Sequence, residues 1–184
     1  MPCLLESKIS PAKERESIMD KFHRAFGVYG VVHEEAKGLV VIKKNGGPYT
    51  NRFDLPGGSL EDGEALNIAI KREIKEETGL AVLSYHQLGI TSFKYPWDYL
   101  NFHLNQHIAV FYDIQKLAGV LEQVAPQFEG QDSLGAVFVP LRQLNLNNAS
   151  PPVLKAKEYL LNDRQFSDAD TTFDKWDVLD KPVF

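Results

Sequence analysis

Between Gly58 and Leu80 the chain sets out an amphipathic helix and then breaks its own pattern. Over a helix from about Glu64 to Thr78, Leu66, Ala69, Ile70 and Ile74 recur at helical spacing and form one apolar stripe. At about 100° per residue, Glu73 and Glu77 fall within that stripe and Glu76 lies on its flank. Burying an unpaired carboxylate is strongly unfavourable, so positive charge has to meet these side chains. Glu73, Glu76 and Glu77 are spaced i, i+3, i+4 and can converge on one point, which makes a divalent metal ion the simplest partner. The competing reading is a solvated surface helix of alternating Lys and Glu.

The fixed positions decide between the two. Gly58, Glu64, Arg72, Glu73, Ile74, Glu76, Glu77, Gly79 and Leu80 fit, in order, the pattern G-x5-E-x7-R-E-U-x-E-E-x-G-U, with U aliphatic. That pattern is the Nudix box, and the chain resembles the Nudix hydrolase family, with MutT-like and ADP-ribose pyrophosphatase-like members. The flanking Phe53-Asp54-Leu55-Pro56-Gly57-Gly58 and Glu61-Asp62-Gly63-Glu64 also look like common family surroundings. The resemblance implies an α/β fold, an α/β/α sandwich with a mixed sheet.

With 184 residues, 43% of them hydrophobic, the chain is long enough for one well-buried core, and a single domain over 1–184 is expected. A net charge of -5 argues against an electrostatic platform for nucleic acid. It also means that a polyphosphate substrate needs an accompanying cation. Cys3 is the only cysteine, which excludes an intrachain disulfide and suits a reducing cytoplasm. Cys3 has no adjacent base and is not read as a nucleophile. The N-terminus lacks a signal-peptide pattern and no apolar run approaches a membrane span, so a cytoplasmic protein is expected, with a homodimer left open.

Along the chain, Ser10-Pro11 caps and opens a polar helix over about 10–22. Phe26 to His33 reads as a strand, 34–38 as a turn, and Leu39 to Ile42 as the returning strand. Lys43 to Pro48 is a loop, and Phe53 to Leu55 a short extended piece. Gly79 serves as C-cap of the box helix, and Leu80 to about Phe93 is strand-like with a bulge at Gly89. Tyr95 to Tyr99 reads as an aromatic loop. His107 to Tyr112 and Ala136 to Leu141 are further strands, and Ser150-Pro151-Pro152 opens a last helix through about Leu161. From about 162 an acidic tail carries Phe166, Phe173, Trp176 and Phe184, too many aromatics for a disordered segment, so it is expected to pack on its own chain or another.

By resemblance, Glu73, Glu76 and Glu77 are the catalytic and metal-binding carboxylates. The Gly58 carbonyl is a further ligand, and Mg2+ (or Mn2+) is the expected ion. One glutamate, or a carboxylate from another loop, deprotonates the attacking water. Glu64 and Arg72 form a structural ion pair that fixes loop to helix. Glu129 and Asp132, in the loop before the last core strand, are candidates for an extra carboxylate, against the plain reading of a solvated acidic loop. Lys43 and Lys44 are candidates for touching phosphates. Phe26, Tyr29, Tyr95 and Trp97 are candidates for stacking on a base, with Tyr95 and Trp97 kept as substrate positions. The histidines lack ligand spacing and read as structural or surface groups.

The expected substrate is a nucleoside diphosphate linked to another moiety. In the family, a proline about 16 residues past the box points to ADP-ribose, and Pro96 stands there. No tyrosine occupies Pro96, Trp97 or Asp98, positions associated with dinucleoside polyphosphates, and the upstream coenzyme A pattern is absent. The alternatives are a nucleoside triphosphate pyrophosphohydrolase of MutT type and, in a different class, a non-catalytic nucleotide-ligand sensor. An isomerase branch would want a core cysteine, which Cys3 does not supply.

Overall fold

A computed structural model describes residues 21–127 and 130–184. The helix expected over 10–22 therefore lies outside the described residues, except at its end, where Phe22 already opens a strand. Glu129 also lies outside them.

The elements run β1 (Phe22–Val31), β2 (His33–Glu34), β3 (Gly38–Lys44), a 3-10 turn (Gly47–Tyr49), β4 (Phe53–Asp54), β5 (Gly57–Gly58), α1 (Leu66–Thr78), β6 (Ala81–Tyr99), β7 (Phe102–Ala118), β8 (Ser133–Val139), a 3-10 turn (Leu141–Gln143), α2 (Pro151–Leu161) and β9 (Thr171–Thr172). One five-stranded sheet has the order β5-β1-β7-β6-β9. It is mixed, because β1–β7 and β6–β9 pair in parallel while β1–β5 and β6–β7 are antiparallel. β3 gathers β2, β4 and β8 into a second sheet, all antiparallel.

Strand periodicity builds two cores at once. In β1, Tyr29 and Val31 face the core that α2 covers, while Val28 faces the core that α1 covers. β3 and β7 divide in the same way, with Leu39, Val41, Ala109 and Phe111 on one side and Val40, Ile42, Val110 and Tyr112 on the other. Strands buried on both faces read as unbroken apolar runs, as Leu39 to Ile42 does. The expected sandwich, helices on both faces of a mixed sheet, is the observed architecture.

Both helices have legible ends. Gly79, at φ 74°, takes the left-handed C-cap that a β-carbon would strain, and its N–H caps the Lys75 carbonyl. The Ser150 side chain accepts from Val153 N and Pro151 follows at the first helical position. The bulge expected at Gly89 is present as a register shift between Gln87 and Gly89.

One expectation fails. Tyr95 to Tyr99 is not a loop but the end of β6, paired through Tyr95↔Asn105, Pro96↔Leu104 and Tyr99↔Phe102. Pro96 cannot donate to a ladder, and pairing slips between Pro96 and Tyr99, but the hairpin continues past it to a tip at Leu100–Asn101. The acidic tail packs on its own chain: Phe166, Phe173 and Trp176 rest against the α2-side core, and β9 adds to the edge of β6. Among the described residues no helix is long and apolar enough to cross a membrane.

Candidate active site

The site grows from the join between β5 and α1. Arg72 grips Glu64 with two hydrogen bonds, Nε to Oε1 at 2.8 Å and Nη2 to Oε2 at 2.7 Å. It also donates to the Ser59 carbonyl at 3.1 Å. The Glu61 N–H donates to Glu64 at 3.0 Å, so both ends of the glycine loop are tied to the helix. Arg72 beside it, helped by that N–H, holds the Glu64 carboxyl at about 2, and Glu64 first keeps the Arg72 guanidinium above its usual value.

The other Arg72 nitrogen, Nη1, reaches Glu73 at 2.9 Å and Glu76 at 3.2 Å. Glu77, 2% exposed, turns instead to the Gly57 N–H, which donates to it at 2.7 Å. Because two glutamates turn to Arg72 and one to the backbone, no three carboxylate, imidazole or thiol groups among the described residues are gathered around one point. The three glutamates share a cleft rather than a point. A β-carbon on Gly58 would sit 2.7 Å from Glu73 Oε1, so glycine there lets the carboxylate lie directly against the loop.

Burial pushes Glu77 well above the usual carboxylate range, against the opposing pull of Lys44 and the Gly57 N–H. Burial also raises Glu73, against Arg72. A hard divalent cation in the cleft would relieve both, and three carboxylates with the Gly58 carbonyl are the donor chemistry such an ion takes. In donor chemistry the residues fit the ion, and the carboxylates would turn from Arg72 and the Gly57 N–H to meet it.

Facing α1 across the cleft are β3, β4 and the loop before β8. Lys44 donates to Asp132 at 2.6 Å. Burial pulls the Lys44 ammonium down, but Asp132, Asp54 and Glu77 more than offset it, and its pKa is raised. Lys43 is the strand neighbour in register with Phe53 and does not line the cleft. Asp54, which the sequence reading passed over, is 1% exposed, and its Oδ1 accepts from Leu55 N at 2.9 Å and Ser150 Oγ at 2.5 Å. Burial raises its pKa, with Lys44 opposing. Only the placement of Asp54 between Phe53 and Leu55, ahead of the glycine turn, could have flagged it.

The remaining wall is aromatic and polar together. Tyr95 and Trp97 both line the cleft, as do Phe26 and Tyr29, and Trp97 stacks on Tyr99 at 5.1 Å with 10° between the rings. His107, read from sequence as a structural or surface group, sits at the centre of this wall. Its Nε2 lies 2.9 Å from the Tyr29 hydroxyl and its Nδ1 2.8 Å from that of Tyr49. Tyr95 joins Tyr49 at 3.0 Å, Asn105 joins Tyr95 at 2.7 Å, and His23 joins Asn105 at 2.8 Å. The tail supports the wall from behind, with Trp176 5.6 Å from Tyr49 and 5.4 Å from Tyr95, ring centre to ring centre. The cleft holds about 500 Å³, a size suited to a nucleotide-like ligand.

Comparison with known proteins agrees with this fold. The family model described as the NUDIX domain matches residues 21–159. A curated ADP-ribose pyrophosphatase from Methanocaldococcus jannaschii is 41% identical over 70 residues, 38% of this chain and 41% of that protein. The chain thus aligns with about two-fifths of that relative's length. Among solved structures, the MutT NUDIX hydrolase from Burkholderia pseudomallei superposes with a TM-score of 0.58 at 20% identity, covering 74% of this chain and 97% of that one. The NUDIX domain of Shewanella oneidensis NrtR, solved with ADP ribose, gives 0.57 at 15% identity, covering 77% and 88%.

Proposed function

The chain belongs to the Nudix family, and from that premise we propose that it hydrolyses the pyrophosphate bond of a nucleoside diphosphate linked to a second group, with ADP-ribose the favoured member of that class. The observation that carries the reading is the shared cleft of Glu73, Glu76, Glu77 and the Gly58 carbonyl, walled on its far side by aromatic rings. The partial likeness to a protein named ADP-ribose pyrophosphatase, and Pro96 in the sequence, support the choice of ADP-ribose.

In this mechanism Glu73, Glu76, Glu77 and the Gly58 carbonyl would hold Mg2+. When bound, the ion supplies positive charge against phosphate oxygens and acidifies a water. Lys44 adds a fixed cation at the same end of the cleft, with Asp132 as its charge partner. One of the helix glutamates accepts the proton of the attacking water. The water oxygen joins one phosphorus, and the bridging oxygen leaves with the other phosphate. ADP-ribose would yield AMP and a sugar phosphate.

The test is a panel of nucleotide-linked diphosphates and nucleoside triphosphates, assayed with Mg2+ and with excess chelator, with products separated by chromatography. ADP-ribose should give AMP only when metal is present. Strong turnover of triphosphates with ADP-ribose untouched would move the assignment to the MutT type. Tight binding without turnover would make the protein a sensor, and full activity in chelator would sink the mechanism.

A further inference from the structure

One hydrogen-bond chain in the cleft wall ends on a donor that the protein leaves unspent. Asn105 presents its amide nitrogen to the Tyr95 hydroxyl and its carbonyl oxygen to His23 Nδ1. Tyr95 therefore accepts from Asn105 and donates its own proton to Tyr49. Tyr49 is buried and has accepted from Tyr95, so the one acceptor open to its own proton among the described residues is His107 Nδ1, and donating there leaves no unpaired donor behind the wall. His107 has two phenols as its hydrogen-bond partners, and burial, then Lys44, hold its pKa at about 3, so the ring is neutral near pH 7. A neutral imidazole has one N–H and one bare nitrogen. With Nδ1 accepting, the proton stands on Nε2 and is donated to the Tyr29 oxygen. Tyr29 thus accepts, and its own proton has no partner among the described residues.

The surroundings show where that proton is available. A β-carbon on Gly27 would lie 2.8 Å from the Tyr29 hydroxyl and 3.0 Å from the Gly58 carbonyl oxygen, so the two oxygens flank one small space. Gly58 in turn abuts the Glu73 carboxylate. The unspent donor therefore opens on the end of the cleft where the α1 glutamates stand, not on the rim with Trp97 and Tyr99. Burial, then Asp54, push the Tyr29 phenol well above its ordinary value, so it keeps its proton.

We propose that Tyr29 is a substrate-binding residue whose hydroxyl donates a hydrogen bond to a phosphate oxygen of the diphosphate, and that Asn105, Tyr95, Tyr49 and His107 act in sequence to fix it as a donor. The assignment rests on the diphosphate reading above. It distinguishes Tyr29 from Lys44: the lysine supplies charge, whereas the phenol supplies a directed donor held by its own hydrogen-bonded backing.

Two measurements test it, and one needs no variant. Side-chain nitrogen NMR of histidine-labelled wild type should show His107 as the Nε2–H tautomer, with its Nε2 resonance moving when inorganic pyrophosphate and Mg2+ are added. An Nδ1–H tautomer, or a resonance that pyrophosphate leaves unmoved, would overturn the proposal. Calorimetric titration with pyrophosphate and Mg2+ then compares wild type with Tyr29→Phe, each checked for a native near-UV spectrum. Loss of a hydrogen bond to a charged group should raise Kd by about 10- to 100-fold. Equal affinities, or no binding to wild type, would overturn it. If pyrophosphate binding depends on Tyr29 but ADP-ribose is not cleaved, the substrate reading fails and the Tyr29 assignment stands.

Discussion

Trp176 stands edge-on to Tyr49, with ring centres 5.6 Å apart and planes at 77°, and its indole N–H donates to the Pro48 carbonyl at 2.8 Å. Arg52 lies over the same indole at 4.7 Å. Trp176 thus ties the tail, which follows the family-matched region, to a residue of the cleft wall. Trp176→Ala should cost about 2 kcal/mol, less than a fully buried tryptophan because it is only half-buried. It should also weaken ligand binding through a loosened Tyr49 and Tyr95. Denaturant melts and calorimetry check the two effects, and a variant with unchanged stability and affinity would show the tail to be passive.

For Glu77, the expectation is a stability order that reverses with metal. Burial raises its folded pKa, so its favourable contribution is present below the unfolded value, near 4.5, and is lost as pH rises through the folded one. Near neutral pH the charged form is therefore a liability to the metal-free fold. Glu77→Gln keeps the shape and an acceptor for the Gly57 N–H. In chelator it should melt at or above wild type; in Mg2+ wild type should melt higher, because it gains binding free energy that the variant largely loses. Melts in which the variant is clearly weaker without metal, and Mg2+ shifts neither protein, would make Glu77 a structural partner.

His107 predicts a pH dependence of the opposite sign. Its pKa falls from 6.5 to about 3 on folding, so the folded state binds fewer protons than the unfolded one between those values. The stability this group contributes is present above pH 6.5 and is lost as pH falls toward 3. The slope is at most about 1.4 kcal/mol per pH unit. Comparing wild type with His107→Gln isolates it: the stability difference, wild type minus variant, should decline steadily from pH 7 to pH 4. A flat difference would mean that the imidazole titrates equally in both states.

At Gly27 the prediction is steric. A methyl group there would meet the Tyr29 hydroxyl, the edge of its ring at 2.9 Å and the Gly58 carbonyl. Since that carbonyl is backbone and cannot swing aside, Gly27→Ala should displace Tyr29 and lower both stability and affinity for a diphosphate, by at least tenfold in Kd. Gly63→Ala is not an equivalent control because of its positive φ of 74°. Wild-type binding by Gly27→Ala would show that the wall yields freely.

Local signals were readable in the sequence. The box helix, its Gly79 stop and the Ser150 cap each depend on neighbours within a few residues, and the apolar runs of β1 and β3 announce strands covered on both faces. Tyr95 to Tyr99 is strand and not the expected aromatic loop because partners on the returning strand, Leu104 opposite Pro96 among them, hold it in a hairpin that the segment alone does not show. Asp54 and His107 were invisible for a deeper reason. The partners of His107, Tyr29 and Tyr49, lie 78 and 58 positions away, and the Ser150 that holds Asp54 lies 96 away. A polar residue in an apolar strand shows its use only when the fold brings such partners to it.

Val28 and Tyr29 are neighbours in β1 that face opposite cores, one under the box helix and one in the cleft wall. A single inserted or deleted residue in this strand would exchange those faces along its length, placing the phenol beneath the helix and a valine in the wall. The strand is therefore closed to changes of length. The hairpin tip at Leu100, 86% exposed, is open to them, and the rim residues Trp97 and Tyr99 lie beside it. Descendants of this chain can thus alter the mouth of the cleft by lengthening or trimming that tip while the reacting end stays fixed, so selectivity and chemistry are free to evolve at different rates.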